Sequence, residues 1–320
     1  MLEVILKAKK FKQKSISQNM VLPKYWNLIA GTNKKHLHTP LNKIFKICKT
    51  LDKSNIRLLK KAVHNNGQIE KLCDGILQPI RYKEIEAINK ELAKEIRIFC
   101  DSLYVDCLKI ACFYNQYEQI NNYYKNFIGR KTTCRCCGVG MILNQFHKHR
   151  SALDHYLPKS VYPFVGVNFK NLIPICDTCN EKYKLDKDTL LEIVDKGKKN
   201  ENKIPRVAFY PFSKFKYDID IKIKLLKPYC KTLTDADIDI QLSNTANQFK
   251  VDNWERIFGV KDNYKALCCS EEMTVYYEEY FSNSLINRGI SLKEHLEDLG
   301  RNKYYEKNFL KIPFLEAVNT

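Results

Sequence analysis

Four cysteines in two closely spaced pairs are the residues whose types and spacing point most directly to a chemical role. Cys134 and Cys137 form one Cys-x-x-Cys pair, and 38 residues separate it from a second pair, Cys176 and Cys179. Each pair can present two sulfur atoms on one tight turn, and four thiolates in a tetrahedron are the preferred coordination of structural zinc. Gly138 follows the first pair and suits such a turn. The spacing therefore predicts a structural Zn²⁺ site.

The other cysteines fit this pattern less well. Cys136 lies within the first pair and is a competing ligand, although the spacing and the glycine favour its neighbours. Four unrelated free thiols and a redox dithiol are the alternatives to a zinc site. The eight cysteines elsewhere lie in apolar or helical contexts and are expected to be free and buried. These are Cys48, Cys73, Cys100, Cys107, Cys112, Cys230, Cys268 and Cys269.

Residues between and beside the pairs are suited to phosphodiester hydrolysis. Asp154 and His155 open the run DHYLPKS, Asn171 lies in KNLIPIC, and Asn180 directly follows the last cysteine of the second pair. The carboxylate of Asp154 and the amide oxygen of Asn180 can bind a hard divalent cation. The imidazole of His155, neutral near physiological pH, can take a proton from a water aimed at phosphorus.

Residues 134–184 resemble the HNH endonucleases. The resemblance is carried by the runs C-R-C-C-G, L-D-H-Y-L-P-K-S, Y-P and N-L-I-P-I-C-D-T-C-N. It implies a ββα-metal fold, in which a two-stranded hairpin and a helix hold one cation. It also implies that His155 is the general base and that Asn171 orients it through the hairpin backbone. Asp154 and Asn180 would then bind a catalytic Mg²⁺ or Mn²⁺.

The segment departs from the family pattern in one place. Many relatives have a lysine three residues after the final motif position, where this chain has Tyr183. Lys182 and Lys184 flank it, and either is expected to reach a phosphate. The final motif position itself is Asn180 rather than histidine, a variant that is also found in the family.

The resemblance implies a metal-dependent DNA endonuclease that leaves a 5′ phosphate and a 3′ hydroxyl. The pattern D-H-x-L-P-K-S-x-Y-P is similar to that of bacterial phage-defence effectors, which suggests antiviral defence and a regulatory protein partner such as an ATPase. Two alternatives stay open. One is a catalytically silent, zinc-stapled DNA-binding module, and the other is an RNA-directed nuclease or toxin.

The charge distribution favours a nucleic-acid partner. The chain has a net charge of +18, and residues 1–60 hold 14 Lys and Arg against 2 Asp and Glu. Such a surface attracts a polyanion, because each Lys or Arg near a phosphate releases condensed counterions. No apolar run approaches the length of a membrane span, and the N-terminus does not follow the order of a secretory signal. The sequence therefore predicts no membrane partner and a cytoplasmic location.

Periodicity and composition predict an α+β fold with four consecutive regions. Residues 1–40 are expected to form a basic, loosely packed arm, and residues 41–129 a helical region, with a helix break near Asp101 in the stretch Tyr82 to Phe127. Residues 130–196 would form the ββα-metal domain, stapled by its four-cysteine zinc and ending in a short helix at 189–194. A polar linker at 197–203 leads to a mixed region at 204–320, with strands first and helices from about Met273 to Leu299.

Two histidines just before the proposed active site are further candidates for metal ligands. His147 and His149 lie in the run NQFHKHR. The favoured interpretation is that they form, with Lys148 and Arg150, a basic hairpin edge close to the phosphate backbone of a substrate.

Overall fold

The fold combines helices with small antiparallel sheets. The structure is a computed structural model that describes residues 5–31, 34–105, 120–194, 197, 201–215 and 218–320. Over these residues it confirms the predicted α+β class. None of the helices in this described part of the chain combines the length and apolar character that crossing a membrane requires.

The helices fall before and after a central strand-rich segment. The α-helices are α1 (Pro23–Ala30), α2 (His38–Thr50), α3 (Lys53–Asn66), α4 (Ile69–Cys73), α5 (Tyr82–Ile88), α6 (Lys90–Val105), α7 (Ile120–Ile128), α8 (Gln248–Phe258), α9 (Val260–Cys268), α10 (Glu271–Val275), α11 (Leu292–Arg301) and α12 (Asn308–Val318). Two π-helices span Thr178–Lys184 and Tyr276–Leu285. Short 3-10 helices are Ala8–Lys10, Gln18–Met20, Phe169–Asn171, Asp235–Asp237 and Ile286–Arg288.

The described strands pair in three antiparallel hairpins, β1 with β2, β3 with β4 and β5 with β6. The strands are β1 (Ala152–His155), β2 (Leu172–Ile175), β3 (Leu191–Val194), β4 (Asn202–Pro205), β5 (Asp220–Leu225) and β6 (Ile238–Ser243). The β5–β6 pair confirms the strands predicted after residue 204, where polar and apolar residues alternate.

The chain forms two compact units that alternate along the sequence. The first unit comprises residues 1–132, 142–175 and 186–212, and the second comprises residues 133–141, 176–185 and 213–320. The segment that resembles HNH endonucleases therefore contributes to both units, with β1 and β2 in the first and all four paired cysteines in the second.

The first unit has a helical core built on the predicted amphipathic faces. Leu92, Ile96 and Phe99 of α6 are buried, and α6 packs against α2. Removing such side chains from water is the main stabilising contribution to a core of this kind. Asp52 begins α3 as its N-cap, because its carboxylate accepts a hydrogen bond from the backbone N–H of Asn55 at 2.8 Å.

The prediction of a loosely packed N-terminal arm is wrong. Ile5, Ala8, Ile16 and Met20 are buried in the same core as α2 and α6. Only Ala8 and Met20 lie in short 3-10 helices, and the four residues are irregularly spaced, so the segment shows no helical period in the sequence. The lysines between them stay exposed; these are Lys7, Lys9, Lys10, Lys12 and Lys14.

Three local predictions are also wrong. The helix break lies at Asn89 and not near Asp101, because the Asn89 side chain accepts the N–H of Leu92 at 2.8 Å and starts a new helix there. Residues 106–119 of the same stretch lie outside the described residues. Residues 191–194 form strand β3 instead of a helix, since their backbone pairs with β4. Strand β4 begins at Asn202, inside the predicted linker, of which residues 198–200 lie outside the described part.

The second unit packs helices α8 to α12 with the β5–β6 hairpin. Helices and the π-helix Tyr276–Leu285 cover most of the range from Met273 to Leu299, which confirms the helical prediction for that range. The cysteines outside the two pairs follow the prediction in part. Cys48, Cys73, Cys100 and Cys268 are buried and lie outside any disulfide, whereas Cys230 and Cys269, also outside any disulfide, are partly exposed. Cys107 and Cys112 lie outside the described residues.

Candidate metal centre and active site

The two cysteine pairs come together in the second unit. The sulfur atoms of Cys134, Cys137, Cys176 and Cys179 all lie within 4.8 Å of one another, and all four residues are buried. The Sγ atoms of Cys137 and Cys176 are 3.9 Å apart. A tetrahedral zinc site with Zn–S bonds of about 2.3 Å has sulfur–sulfur edges of about 3.8 Å. The four thiols therefore match the size and the donor set of a structural zinc site.

The backbone around these sulfurs is shaped to hold thiolates. Gly138 adopts a left-handed conformation with φ of +78°, as expected for the tight turn after the first pair. The N–H of Gly140 donates to the Cys137 sulfur at 3.2 Å. A Cβ on Gly140 would lie 2.4 Å from the Cys176 sulfur, so only glycine leaves room for that thiol. A buried cluster of thiolates is stabilised by backbone N–H donors and needs space that no Cβ occupies.

Cys136 is a neighbour of the four-sulfur set and not a member of it. Hydrogen bonds from neighbouring thiols lower the pKa of Cys134, and the bond from Cys136 has the largest effect. Contacts with the other three cysteines of the set raise the pKa of Cys179. Thiols packed this closely share protons until a cation replaces them, and binding zinc would release these protons. The chemistry of the donor set thus fits Zn²⁺.

Two aromatic residues of the second unit hold the first cysteine pair from outside. The indole N–H of Trp254 in α8 donates to the backbone carbonyl of Cys136. The hydroxyl of Tyr264 in α9 donates to the carbonyl of Cys137 at 3.1 Å, and Tyr264 is buried. Burial raises the pKa of this hydroxyl, so it remains a donor. Sequence reasoning missed both residues, because they lie more than a hundred positions after the pair they support.

The Asp-His pair lies in the first unit at the end of strand β1. In the hairpin register Asp154 pairs with Ile173, and His155 pairs with Leu172 of β2. Both side chains are half-buried. Successive residues of a strand face opposite sides of the hairpin, so these two functional groups leave the backbone in different directions.

A backbone carbonyl fixes the orientation of the His155 ring. The Nε2 atom of His155 lies 2.8 Å from the carbonyl oxygen of Gly166. A carbonyl oxygen only accepts hydrogen bonds, so Nε2 carries the proton in the neutral ring and Nδ1 carries the lone pair. The edge of the Tyr104 ring lies against the same imidazole, with ring centroids 4.6 Å apart.

Asn171 connects the two ends of the loop that follows His155. The side chain is fully buried; its amide oxygen accepts the N–H of Leu157 at 2.8 Å, and its amide nitrogen donates to the Leu157 carbonyl at 2.9 Å. The same nitrogen lies 3.4 Å from the carbonyl of Val165, the residue before Gly166. One buried amide therefore joins the segment after His155 to the segment that carries the acceptor of its ring.

Charged groups surround Tyr104 beside the imidazole. Lys159 forms an ion pair with Asp101 at 2.5 Å, and its ammonium lies 5.7 Å from the centre of the Tyr104 ring. Burial raises the pKa of the Tyr104 hydroxyl; the positive charges of Arg150 and Lys159 oppose the shift and Asp154 adds to it. Tyr104 and Gly166 were missed from sequence. Tyr104 lies in a distant helix, and Gly166 acts through its carbonyl, which leaves no side-chain signal.

Asn180 lies in the second unit, on the π-helix that begins directly after Asp177. Its N–H donates to the carbonyl of Cys176 at 3.0 Å, so the residue is held by the backbone of the cysteine cluster. Asn180 itself is half-buried. Of the flanking lysines, Lys182 is exposed, whereas Lys184 is only 2% exposed. The expectation that either lysine reaches a phosphate is therefore wrong for Lys184.

Tyr183 has a packing role in the second unit. Its ring lies against Gly259, which joins α8 to α9 with φ of +52°. A Cβ on Gly259 would lie 2.0 Å from the Tyr183 ring. The ring thus occupies space that exists only because the helix junction is a glycine.

The structure brings together the four cysteines within the second unit, and Asp154, His155 and Asn171 within the first. His147 and His149 belong to no group of three or more potential metal ligands among the described residues, where the four cysteines form such a group. In comparisons with protein-family models, curated proteins and solved structures, none matches this chain.

Proposed function

We propose that this chain is a metal-dependent DNA endonuclease of the HNH type, with His155 as its general base. The observation that carries the proposal is the fixed imidazole at the end of β1. The Gly166 carbonyl holds Nε2 at 2.8 Å, and the buried amide of Asn171 holds the loop on which that carbonyl lies. This arrangement gives His155 the defined tautomer and orientation that a general base needs.

The proton transfer follows from the tautomer. With its proton on Nε2, His155 presents Nδ1 as the basic nitrogen, which takes a proton from the water that attacks phosphorus. The hydrogen bond to Gly166 then stabilises the imidazolium, because Nε2 remains a donor. Asn171 acts as a positioning residue, since its contacts reach the backbone on both sides of the loop and not the ring itself.

The proposed catalytic cation is Mg²⁺ or Mn²⁺. Asp154, the residue directly before the base in the sequence, supplies a charged oxygen donor, and oxygen donors are the ligands these hard cations prefer. When bound, such a cation stabilises the charge that develops on the scissile phosphate and on the leaving 3′ oxygen. The proposal that Asn180 also binds this cation rests on the resemblance to the family, and substitution of Asn180 tests it.

The ββα-metal core is part of the same proposal. By the resemblance, the hairpin β1–β2 of the first unit would correspond to the two strands. The π-helix Thr178–Lys184 of the second unit, which carries Asn180, would correspond to the helical element. The zinc site would hold that helix to the first cysteine pair within the second unit, because Cys176 and Cys179 lie at its start. Structural zinc contributes directly to folding in such sites.

DNA is the proposed substrate because basic residues remain exposed even where the N-terminal segment is packed. The lysines of residues 7–14 stay exposed while Ile5, Ala8 and Ile16 are buried. A polyanionic duplex would gain affinity from these charges through counterion release. A role in antiviral defence and a regulatory ATPase partner are further parts of the proposal, and they rest on the resemblance alone.

Cleavage of supercoiled plasmid by the purified chain tests the proposal. We expect nicking or linearisation with Mg²⁺ or Mn²⁺ and none without added cation, and end-labelling should find a 5′ phosphate and a 3′ hydroxyl. An RNA of the same sequence distinguishes an RNA-directed nuclease. Binding of DNA without cutting under every cation tested would favour the silent module and reject the enzyme.

A further inference from the structure

A basic cavity lies immediately before the strand that carries Asp154 and His155. It has a volume of about 440 Å³, and its lining includes Lys125 of α7 together with Lys148, His149 and Arg150. None of the described residues that line it is acidic. Its lining ends at Ala152, the first residue of β1.

The wall of this cavity is fixed by hydrogen bonds. The hydroxyl of the buried Tyr124 donates to the carbonyl of Leu143 and accepts the N–H of Ser151 at 3.3 Å. The hydroxyl of Ser151 in turn accepts the N–H of Leu143 at 2.9 Å. The basic run 148–150 is therefore attached at its end to α7, and its position relative to β1 is defined.

Arg150 is oriented by the same surroundings. Its Nε donates to Asn121 at 3.1 Å and one terminal nitrogen donates to the Ser151 carbonyl at 3.2 Å. Guanidinium has five N–H donors in a planar fork, so a group held by two of them can still bind phosphate oxygens. Arg150 and Asp154 both act electrostatically on the Tyr104 hydroxyl, so Arg150 lies near the ring that contacts His155.

We propose that this cavity binds a backbone phosphate of the nucleic-acid strand that the active site cuts. The proposal rests on the proposed function. His155 lies three positions after Ala152, which is about 10 Å of extended strand. The cavity would therefore hold a backbone phosphate close to the scissile bond and set the register of the strand.

Charge reversal in the full-length chain tests the inference, measured as binding of short duplex DNA without added Mg²⁺ or Mn²⁺. The double variant Lys148→Glu/Arg150→Glu is compared with Lys293→Glu/Arg301→Glu, which makes the same charge change on the exposed surface of α11. We expect roughly tenfold weaker binding only in the cavity variant. The salt slope of its affinity should be flatter by about 1, the value for one lost phosphate contact, between about 50 and 200 mM salt.

A second double variant, which removes charges instead of reversing them, tests the same inference if charge reversal disturbs folding. Lys125→Gln/Lys148→Gln removes two exposed charges, and we expect its salt slope to fall by about 1, for one lost phosphate contact, while zinc content is unchanged. Equal affinity and slope in the cavity and control variants would overturn the inference, as would a wild-type chain that does not bind DNA. Wild-type protein that binds DNA but never cuts it would instead reject the nuclease, and the binding comparison would still decide the role of the cavity.

Discussion

The Nε2 atom of His155 lies 2.8 Å from the carbonyl oxygen of Gly166, eleven residues further along the chain. This contact sets the tautomer of the ring, because the carbonyl can only accept. It also means that the proposed base depends on the conformation of the loop between β1 and β2. The residues that hold this loop should therefore affect catalysis without touching substrate.

Replacing Asn171 by alanine is expected to lower cutting and stability together. The buried N–H and carbonyl of Leu157 would lose their partners, and each unsatisfied buried group costs about 1–3 kcal/mol. The matched control is Asn65→Ala, which removes another buried asparagine, bonded to the Gln78 carbonyl. Thermal unfolding and plasmid nicking should separate the two. Both variants should lose stability, Asn171→Ala more because two groups lose their partner, but only Asn171→Ala should lose cutting. Equal cutting by both variants would argue against a positioning role.

Gly140→Ala is expected to displace zinc. The added methyl group would lie 2.4 Å from the Cys176 sulfur, a distance that no relaxed structure tolerates, and the ligand would have to move. Gly300→Ala is the control, because a Cβ there meets nothing within 4 Å and alanine favours a helix interior by up to about 1 kcal/mol. Metal analysis should find about one zinc per chain in the control and markedly less in Gly140→Ala. Full zinc content in both variants would contradict the conclusion that Gly140 leaves space for the Cys176 thiol.

Tyr264→Phe should weaken the support of the first cysteine pair. The substitution keeps the ring but removes the hydroxyl that donates to the Cys137 carbonyl, so a buried acceptor loses its partner. We expect unfolding to become easier by about 1 kcal/mol. Zinc should also be lost faster to a competing chelator. The control Tyr305→Phe removes a hydroxyl from an exposed ring and should change neither quantity.

Asn180→Ala tests the proposed second ligand of the catalytic cation. Loss of one oxygen donor should raise the Mg²⁺ concentration needed for half-maximal cutting, while zinc content stays at the wild-type value. Asn302→Ala, on an exposed site of the same unit, is the control. An unchanged Mg²⁺ requirement in Asn180→Ala would remove this residue from the proposed ligand set.

The sequence predicted the four-cysteine cluster because its spacing is local and zinc geometry is restrictive. It predicted the α+β class and the β5–β6 strands because their periodicity is regular. It could not predict that Ile5, Ala8 and Ile16 join the core, since their irregular spacing matches neither a helical nor a strand period. Nor could it find Tyr264, whose contact with Cys137 spans 127 positions and depends on tertiary packing.

The central claim is that His155 is the general base of a metal-dependent nuclease, and His155→Ala tests it most directly. Plasmid nicking with Mg²⁺ or Mn²⁺ should be compared with that of His64→Ala, which removes an exposed histidine of the same unit. A general base contributes on the order of 100-fold to 10,000-fold, so we expect His155→Ala to lose at least about 100-fold in cutting rate with zinc content unchanged. The variant should still fold, with a loss of about 1–3 kcal/mol because the Gly166 carbonyl loses its donor. His64→Ala should cut as the wild type does. Cutting by His155→Ala at the wild-type rate would contradict the account.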